Sequence, residues 1–304
     1  MAETELLTPP APTVVPIADA PGAARPRVRF SPSLGFGLLF LLGPLIASLI
    51  GRLLVGRHGT DIFAYDPSTS PSGDRLLGTD GSGRDVLAVM IYSTAPTFEL
   101  VLLAGLVGTF AGTAAGLVSG YLRGLPDTVV RGVSDVMLGI PPFAMLILVA
   151  AVLGRLTLVT MALVIAAFSW PLAARAVRSQ VLTLREQPFV VVSRLSNRSA
   201  PAIMAFELLP NMLTLVMGTL VGAVSGALAI AIGLQLIGLG PIDTQTLGLA
   251  LQNALSAGAL SQGLWWWWLP PTLILIMFFV GLFLISMAVD EVANPRLRGA
   301  GERA

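Results

Sequence analysis

The 304-residue chain has no cysteine, no lysine and a single histidine, His58. The missing cysteine excludes disulfides and thiolate-bound metals, and it leaves the redox compartment open. One histidine rules out a His-built metal or catalytic centre, including the HExxH arrangement. Without lysine there is no Walker A loop, which needs that residue on the β- and γ-phosphates. Charge is scarce too, at 12% of residues, about half of what a soluble domain carries. The net charge of +1 says nothing about nucleic acid, and the sequence has no basic run interleaved with aromatics to bind one. What the chain does have is hydrocarbon: 55% hydrophobic residues and a mean hydropathy of +0.83. That composition predicts a single all-α bundle in a membrane.

One polar strip interrupts the hydrocarbon, "RLLGTDGSGRDVL" at residues 75–87. Its glycines, Gly78, Gly81 and Gly83, suggest a phosphate cradle, but they miss the dinucleotide spacing and no strand–helix unit surrounds them. A calcium loop built on Asp80, Ser82 and Asp85 fails for want of the bidentate acid at its twelfth position. Any ATP that drives this protein is therefore hydrolysed on another subunit.

A spanning helix needs about 20 apolar residues. Six stretches supply them: roughly 34–55, 96–121, 132–154, 157–174, 211–240 and 266–289. A backbone inside a bilayer must satisfy its own hydrogen bonds, so these are helices. The chain then divides into a tail (1–30), a first span with a long loop (31–95), a five-helix core (96–290) and a second tail (291–304). The first tail is rich in Pro, Ala and Thr and ends in "ARPRVRF". It has the composition of a disordered segment and lacks the layout of a cleaved signal peptide.

Arginine placement sets the expected orientation, since positive charge stays cytoplasmic. With the N-terminus inside, thirteen arginines fall on the inner side: Arg25, Arg27, Arg29, Arg123, Arg131, Arg175, Arg178, Arg185, Arg194, Arg198, Arg296, Arg298 and Arg303. Five fall outside: Arg52, Arg57, Arg75, Arg84 and Arg155. Both termini are thus expected in the cytoplasm, with the glycine-rich strip outside.

Glycines at 108, 112, 116 and 120 recur every four residues in the second span, and Gly218, Gly222 and Gly226 repeat the device in the fifth. Such spacing makes a smooth face that admits a neighbouring backbone. It serves either plain packing or sliding contacts beside a pathway. "WWWW" at 265–268 suits an interfacial anchor, or else a stacking surface for a sugar or peptide. Glu99 and Asp135 lie near span ends and do not form the mid-membrane acid of a proton relay. A secondary carrier would also call for broken helices in matched halves.

The segment 185–211, "REQPFVVVSRLSNRSAPAIMAFELLPN", predicts two short helices. Pro188 suits a first turn, Asn197 a left-handed end and Ser199 an N-cap, and Pro210 marks the boundary before the fifth span. The first helix sets an apolar face (Phe189, Val190, Val191, Val192, Leu195) beside Arg194. Too short to span, it lies on the bilayer or docks into a partner; hydrophobic residues on both sides of the turn favour a partner's groove.

Together these pieces resemble the permease subunits of dipeptide/oligopeptide/nickel-type ABC importers, specifically the second of the paired permeases. The likeness runs from about residue 34 to 298. "LLGTDGSGRDVL" is similar to that family's outer-loop signature, LGTDxxGRDV. "GLVSGYLRGLPDTVVRGVSDVMLGIPPFAMLILVAAVLG" follows its second-to-third span pattern, with Gly120, Tyr121, Asp127 and Asp135 in the expected places. "SWPLAARAVRSQVLTLREQPFV" resembles the entry to its coupling loop, and "DEVANPRLR" its D-P-R-L-R ending. The family's EAA loop, which couples permease to ATPase, falls on 191–210. There Val191, Val192 and Ser193 stand where Glu-Ala-Ala is usual, and Asn197 stands where glycine is usual. Arg194, Leu209, Pro210 and Asn211 agree with the pattern.

The resemblance implies a six-span permease that pairs with a homologous second permease, two ATP-binding cassette subunits and an extracytoplasmic solute-binding protein. It implies no cofactor on this chain, with ATP and magnesium on the ATPases. Residues 185–210 would couple hydrolysis to alternating access. Gly78, Thr79, Asp80, Gly83, Arg84 and Asp85 would shape an outer vestibule or simply cap the bundle, locked by pairing among Asp80, Arg84 and Asp85. Short peptides are the expected cargo, with oligosaccharides or chelated nickel as alternatives. Remote from these stand a secondary transporter and an intramembrane enzyme.

Overall fold

The computed structural model describes residues 32–154 and 156–293. The tail 1–30 with its three arginines, Arg155, and the D-P-R-L-R ending with Arg296, Arg298 and Arg303 lie outside the described residues. Those that are described form helices and loops, with one isolated antiparallel bridge between Thr79 and Asp85. Five helices are long and apolar enough to cross a membrane, or six if one bent pair counts as a span.

The first is α1 (Pro32–Leu54). Next, α2 (Val86–Leu122) starts ten residues ahead of the expected edge. Asp85 begins it there by accepting a hydrogen bond from the Leu87 amide at 2.9 Å. Ser93, Thr94, Pro96, Thr97 and Glu99 make this stretch look like loop. Within the helix, Thr94 donates back to the Met90 carbonyl and Thr97 to that of Ser93, so the two threonine hydroxyls are satisfied at no cost to the backbone ladder. Glu99 is exposed.

The expected third span is broken. Its two pieces, α3 (Gly124–Gly139) and α4 (Pro142–Leu153), meet at 90°. Ile140 precedes Pro141, a position that disfavours helix, and its backbone is extended. Among the described residues no second pair bends in this way, so the matched broken halves of a secondary carrier are not found there. The fourth span, α5 (Leu158–Leu184), runs ten residues past the expected edge and carries Arg175 and Arg178 within the helix. Two shorter elements, α6 (Pro188–Leu195) and α7 (Ala200–Ile203), form the elbow before the fifth span. The chain then makes a π-helical turn over Met204–Leu208 and one further turn, α8 (Leu209–Asn211). The fifth span is α9 (Leu213–Leu236), shorter than expected at both ends, with a turn at 237–238 closing it. After it come α10 (Leu247–Ser256) and the last span, α11 (Trp265–Ala293).

Helices α2 and α5 run side by side in the same direction. A β-carbon added at Gly112 would lie 2.5 Å from the Trp170 carbonyl oxygen, and one at Gly116 would lie 2.7 Å from that of Ala174. Gly108 faces Ser169, and Gly120 faces Val181. The first glycine series is therefore a filled groove, closed by α5. The second series departs from expectation. Among the described residues, a β-carbon added at Gly222 or Gly226 would meet nothing within 4 Å, and one at Gly218 would meet Val289 at 3.8 Å. Their face of α9 is left open.

Candidate functional site

Two regions, at opposite ends of α2, carry the residues singled out from the sequence. The first is the loop 56–85. Thr79 is fully buried at its centre. Its hydroxyl donates to the Asp66 carbonyl at 2.6 Å and accepts from the Thr69 amide at 2.9 Å. Asp80 is also buried. One of its carboxylate oxygens accepts the amides of Ser82 and Arg84, and the other accepts Arg84 Nε at 2.6 Å. Asp85 takes no part in that pairing; its carboxylate caps α2 instead.

Gly78 and Gly83 have φ of +63° and +72°, the left-handed region where glycine avoids the penalty of a β-carbon. In both, a β-carbon would strike a carbonyl oxygen, of Thr69 and Tyr65 respectively. Gly81 lies against Trp267, whose ring would meet an added β-carbon at 2.7 Å. Trp266 donates its indole N–H to the Thr79 carbonyl at 3.3 Å. The tryptophan cluster thus pins the loop to α11, and of its four members only Trp265 is largely exposed. A polar recess of about 470 Å³ opens between this loop and α10, bordered by Ser82, Arg84, Asn253, Ser256 and Trp267. The loop is a rigid structure with a recess beside it.

The second region is the elbow 185–211. Val190, Ile203, Leu208 and Met212 are buried and pack with Leu117 of α2 and with Val177 and Val181 of α5. Pro188 occupies the first turn of α6, and Asn197 takes φ of +57° to end it. Ser199 sits at the N-cap position of α7, but its side chain makes no capping bond. Leu209 and Pro210 lie in the last turn before the chain breaks at Met212.

The outer face of α6 is apolar: Leu195 is 82% exposed and Val192 60%, with Phe189 and Val191 beside them. Arg194, expected beside that face, packs inward against the bundle. Its guanidinium lies 5.2 Å from the Tyr121 ring centroid and donates to the Arg185 carbonyl at 3.2 Å. Arg185 in turn donates to the Tyr121 carbonyl at 3.1 Å. Ser193 donates to Glu207 at 3.1 Å, and Glu207 also pairs with Arg198, which ties the two arms of the elbow together.

Arg185 and Glu207 lie within the expected segment but were not singled out, and Tyr121 was not foreseen as part of this site. For Glu207 a signal exists, since it is the one carboxylate between 187 and 242. Tyr121 and Arg185 act through partners distant in sequence, which no local pattern marks.

A model of the family described as binding-protein-dependent transport system inner membrane component matches residues 112–299. Curated proteins are similar over most of the chain. The oligopeptide transport system permease protein OppC of Lactococcus lactis subsp. lactis (strain IL1403) is 26% identical, covering 85% of this chain and 86% of that protein. The dipeptide transport system permease protein DppC of Haemophilus influenzae (strain ATCC 51907 / DSM 11121 / KW20 / Rd) is 28% identical, covering 72% and 76% respectively. The DppC of Alkalihalophilus pseudofirmus (strain ATCC BAA-2126 / JCM 17055 / OF4) is 26% identical over 67% of each chain.

Proposed function

We propose that this chain, which belongs to the family of inner membrane components of binding-protein-dependent transport systems, is the second permease of an ATP-driven importer of short peptides. It is a multi-pass inner-membrane protein, and in our reading both termini face the cytoplasm. A homologous permease pairs with it, two ATP-binding cassette subunits bind ATP and magnesium below it, and a solute-binding protein delivers cargo from outside. Peptide cargo is supported by the oligopeptide and dipeptide names of its relatives.

One observation carries the coupling role: α6 turns an apolar crest outward while Arg194 and Val190 fasten its other side to the bundle. A crest of Val192 and Leu195, with Phe189 partly exposed beside them among the described residues, fits a hydrophobic groove on a partner, where burial contributes about 25 cal/mol per Å². Closure of the ATPases would pull on that crest and tilt the helices between inward- and outward-open states. The loop 56–85 and its recess would form the mouth that receives cargo.

The chain contains no cysteine, so a single introduced thiol reports one position without background. We expect Leu195→Cys to cross-link to an ATPase subunit carrying a cysteine in its permease-facing groove. Ser256→Cys, beside the recess of the outer loop, should give no such product. Cross-linking from 256 but not from 195 would overturn the assignment.

A further inference from the structure

Where α3 crosses α5, the two helices enclose a recess of about 210 Å³ bordered by Arg131, Ser134, Asp135, Arg175 and Arg178. Three guanidiniums meet there, and two are engaged. Arg175 pairs with Asp135 at 2.7 Å. Arg178 holds Asp127 with two bonds, of 2.5 and 2.8 Å. Arg131 is exposed and has no ion pair among the described residues. The cluster therefore carries one cation more than its two carboxylates neutralise. Ser134, only 4% exposed, borders the same recess, and its buried hydroxyl has no hydrogen-bond partner among the described residues. An uncompensated cation and an unused hydroxyl at one recess describe the lining of an anion site rather than a finished ion-pair seam.

The opposite face of α3 adds a second, independent fact. Leu125, Val129, Val133 and Val136 form a continuous apolar stripe, and all four are largely exposed. Such a stripe has the chemistry to face hydrocarbon. The recess lies on the face of α3 opposite this stripe. Basic recesses between helices at the cytoplasmic side of a membrane are suited to phosphate-bearing head groups. Guanidinium matches phosphate geometry with paired N–H donors, which makes arginine better than lysine at this task.

We propose that the α3–α5 recess binds a phosphate group, held by Arg131 and Arg175 with Ser134 donating its hydroxyl. The phosphate comes either from an anionic phospholipid head group or from free phosphate. Placing it at the inner leaflet rests on the orientation given above; the binding chemistry does not. Because the recess sits next to the 90° bend between α3 and α4, an occupant would brace α3 against α5 at that bend.

The test uses the full chain purified with its partner subunits in detergent and stripped of lipid. Native mass spectrometry then follows retention of added phosphatidylglycerol, phosphatidylcholine or inorganic phosphate. Arg131→Ala is the main variant, because that side chain is exposed and unpaired and its loss leaves both ion pairs intact. Ser134→Ala is the second, a change small enough to preserve packing. Loss of one charge-assisted bond should weaken retention about ten-fold in Arg131→Ala, with a smaller drop in Ser134→Ala. Phosphatidylglycerol retained in an Arg131-dependent manner, with no effect of inorganic phosphate, assigns the site to lipid. Arg131-dependent competition by millimolar inorganic phosphate assigns it to a free anion. Retention that ignores both substitutions, or that is equal for phosphatidylcholine and phosphatidylglycerol, overturns the proposal. None of these readings depends on transport, so a wrong cargo or partner would leave them unchanged.

Discussion

Arg194 lies over the ring of Tyr121, 5.2 Å from its centroid, and joins the end of α2 to the first helix of the elbow. The same guanidinium reaches the Arg185 carbonyl just past the end of α5. One side chain thus holds α6 to two membrane helices. We predict that Arg194→Glu lowers uptake roughly ten-fold, on the scale of one lost charge-assisted bond. The ATPase should still co-purify, because the apolar crest is untouched. Lysine keeps the charge but loses the planar stack, so Arg194→Lys should fall between the two. Normal uptake by Arg194→Glu would show that this contact transmits nothing.

Gly83 is the second point of attack. Its φ of +72° and the nearby Tyr65 carbonyl leave no place for a β-carbon, so Gly83→Ala must distort the loop at a cost of about 1–3 kcal/mol. Gly73, in the same loop, has nothing within 4 Å and serves as the control. Thermal unfolding of the detergent-solubilised chain should separate the two variants by several degrees. Identical midpoints would mean that the loop is not the rigid body described here.

The two glycine series call for opposite outcomes. At Gly112 a β-carbon meets the Trp170 carbonyl at 2.5 Å, so Gly112→Ala should cost about 1–3 kcal/mol through overpacking. Gly222→Ala meets nothing and should leave the isolated chain unchanged or raise its stability by up to about 1 kcal/mol through helix propensity. Melting curves of the isolated chain decide the matter. Equal destabilisation by both would contradict the packing.

Asp85 joins loop to helix through one capping bond. Asp85→Ala should cost about 1 kcal/mol, and Asp85→Asn should recover most of it, since asparagine caps equally well. Amide exchange over 86–90 gives the local reading. Protection unchanged in the alanine variant would remove the cap from the account.

The all-α class and the number of hydrophobic stretches were legible in the sequence because hydropathy reports directly on transfer out of water. The start of α2 was not. Its hydroxyls depress the hydropathy, and the bonds of Thr94 and Thr97 to the Met90 and Ser93 carbonyls become visible only once the helix exists. The break at 140–141 did leave a trace in "GIPP", where a proline restricts the residue before it, but the apolar run on either side masked it. Glycine spacing disclosed a smooth helix face at both 108–120 and 218–226, yet it could not say what lies opposite. Arg194 is the sharpest case. Helical periodicity placed it beside the apolar face, and only the position of Tyr121, distant in sequence, explains why it turns inward.

Helix α2 spans 37 residues, about 55 Å at 1.5 Å per residue. Asp85 rivets one end to the glycine-rich loop, and Tyr121 grips the elbow at the other. A push delivered at the first turn would reach the last through one continuous helix, whose one interior proline is Pro96. Mouth and motor would then be the two handles of one lever, with no sliding joint between them.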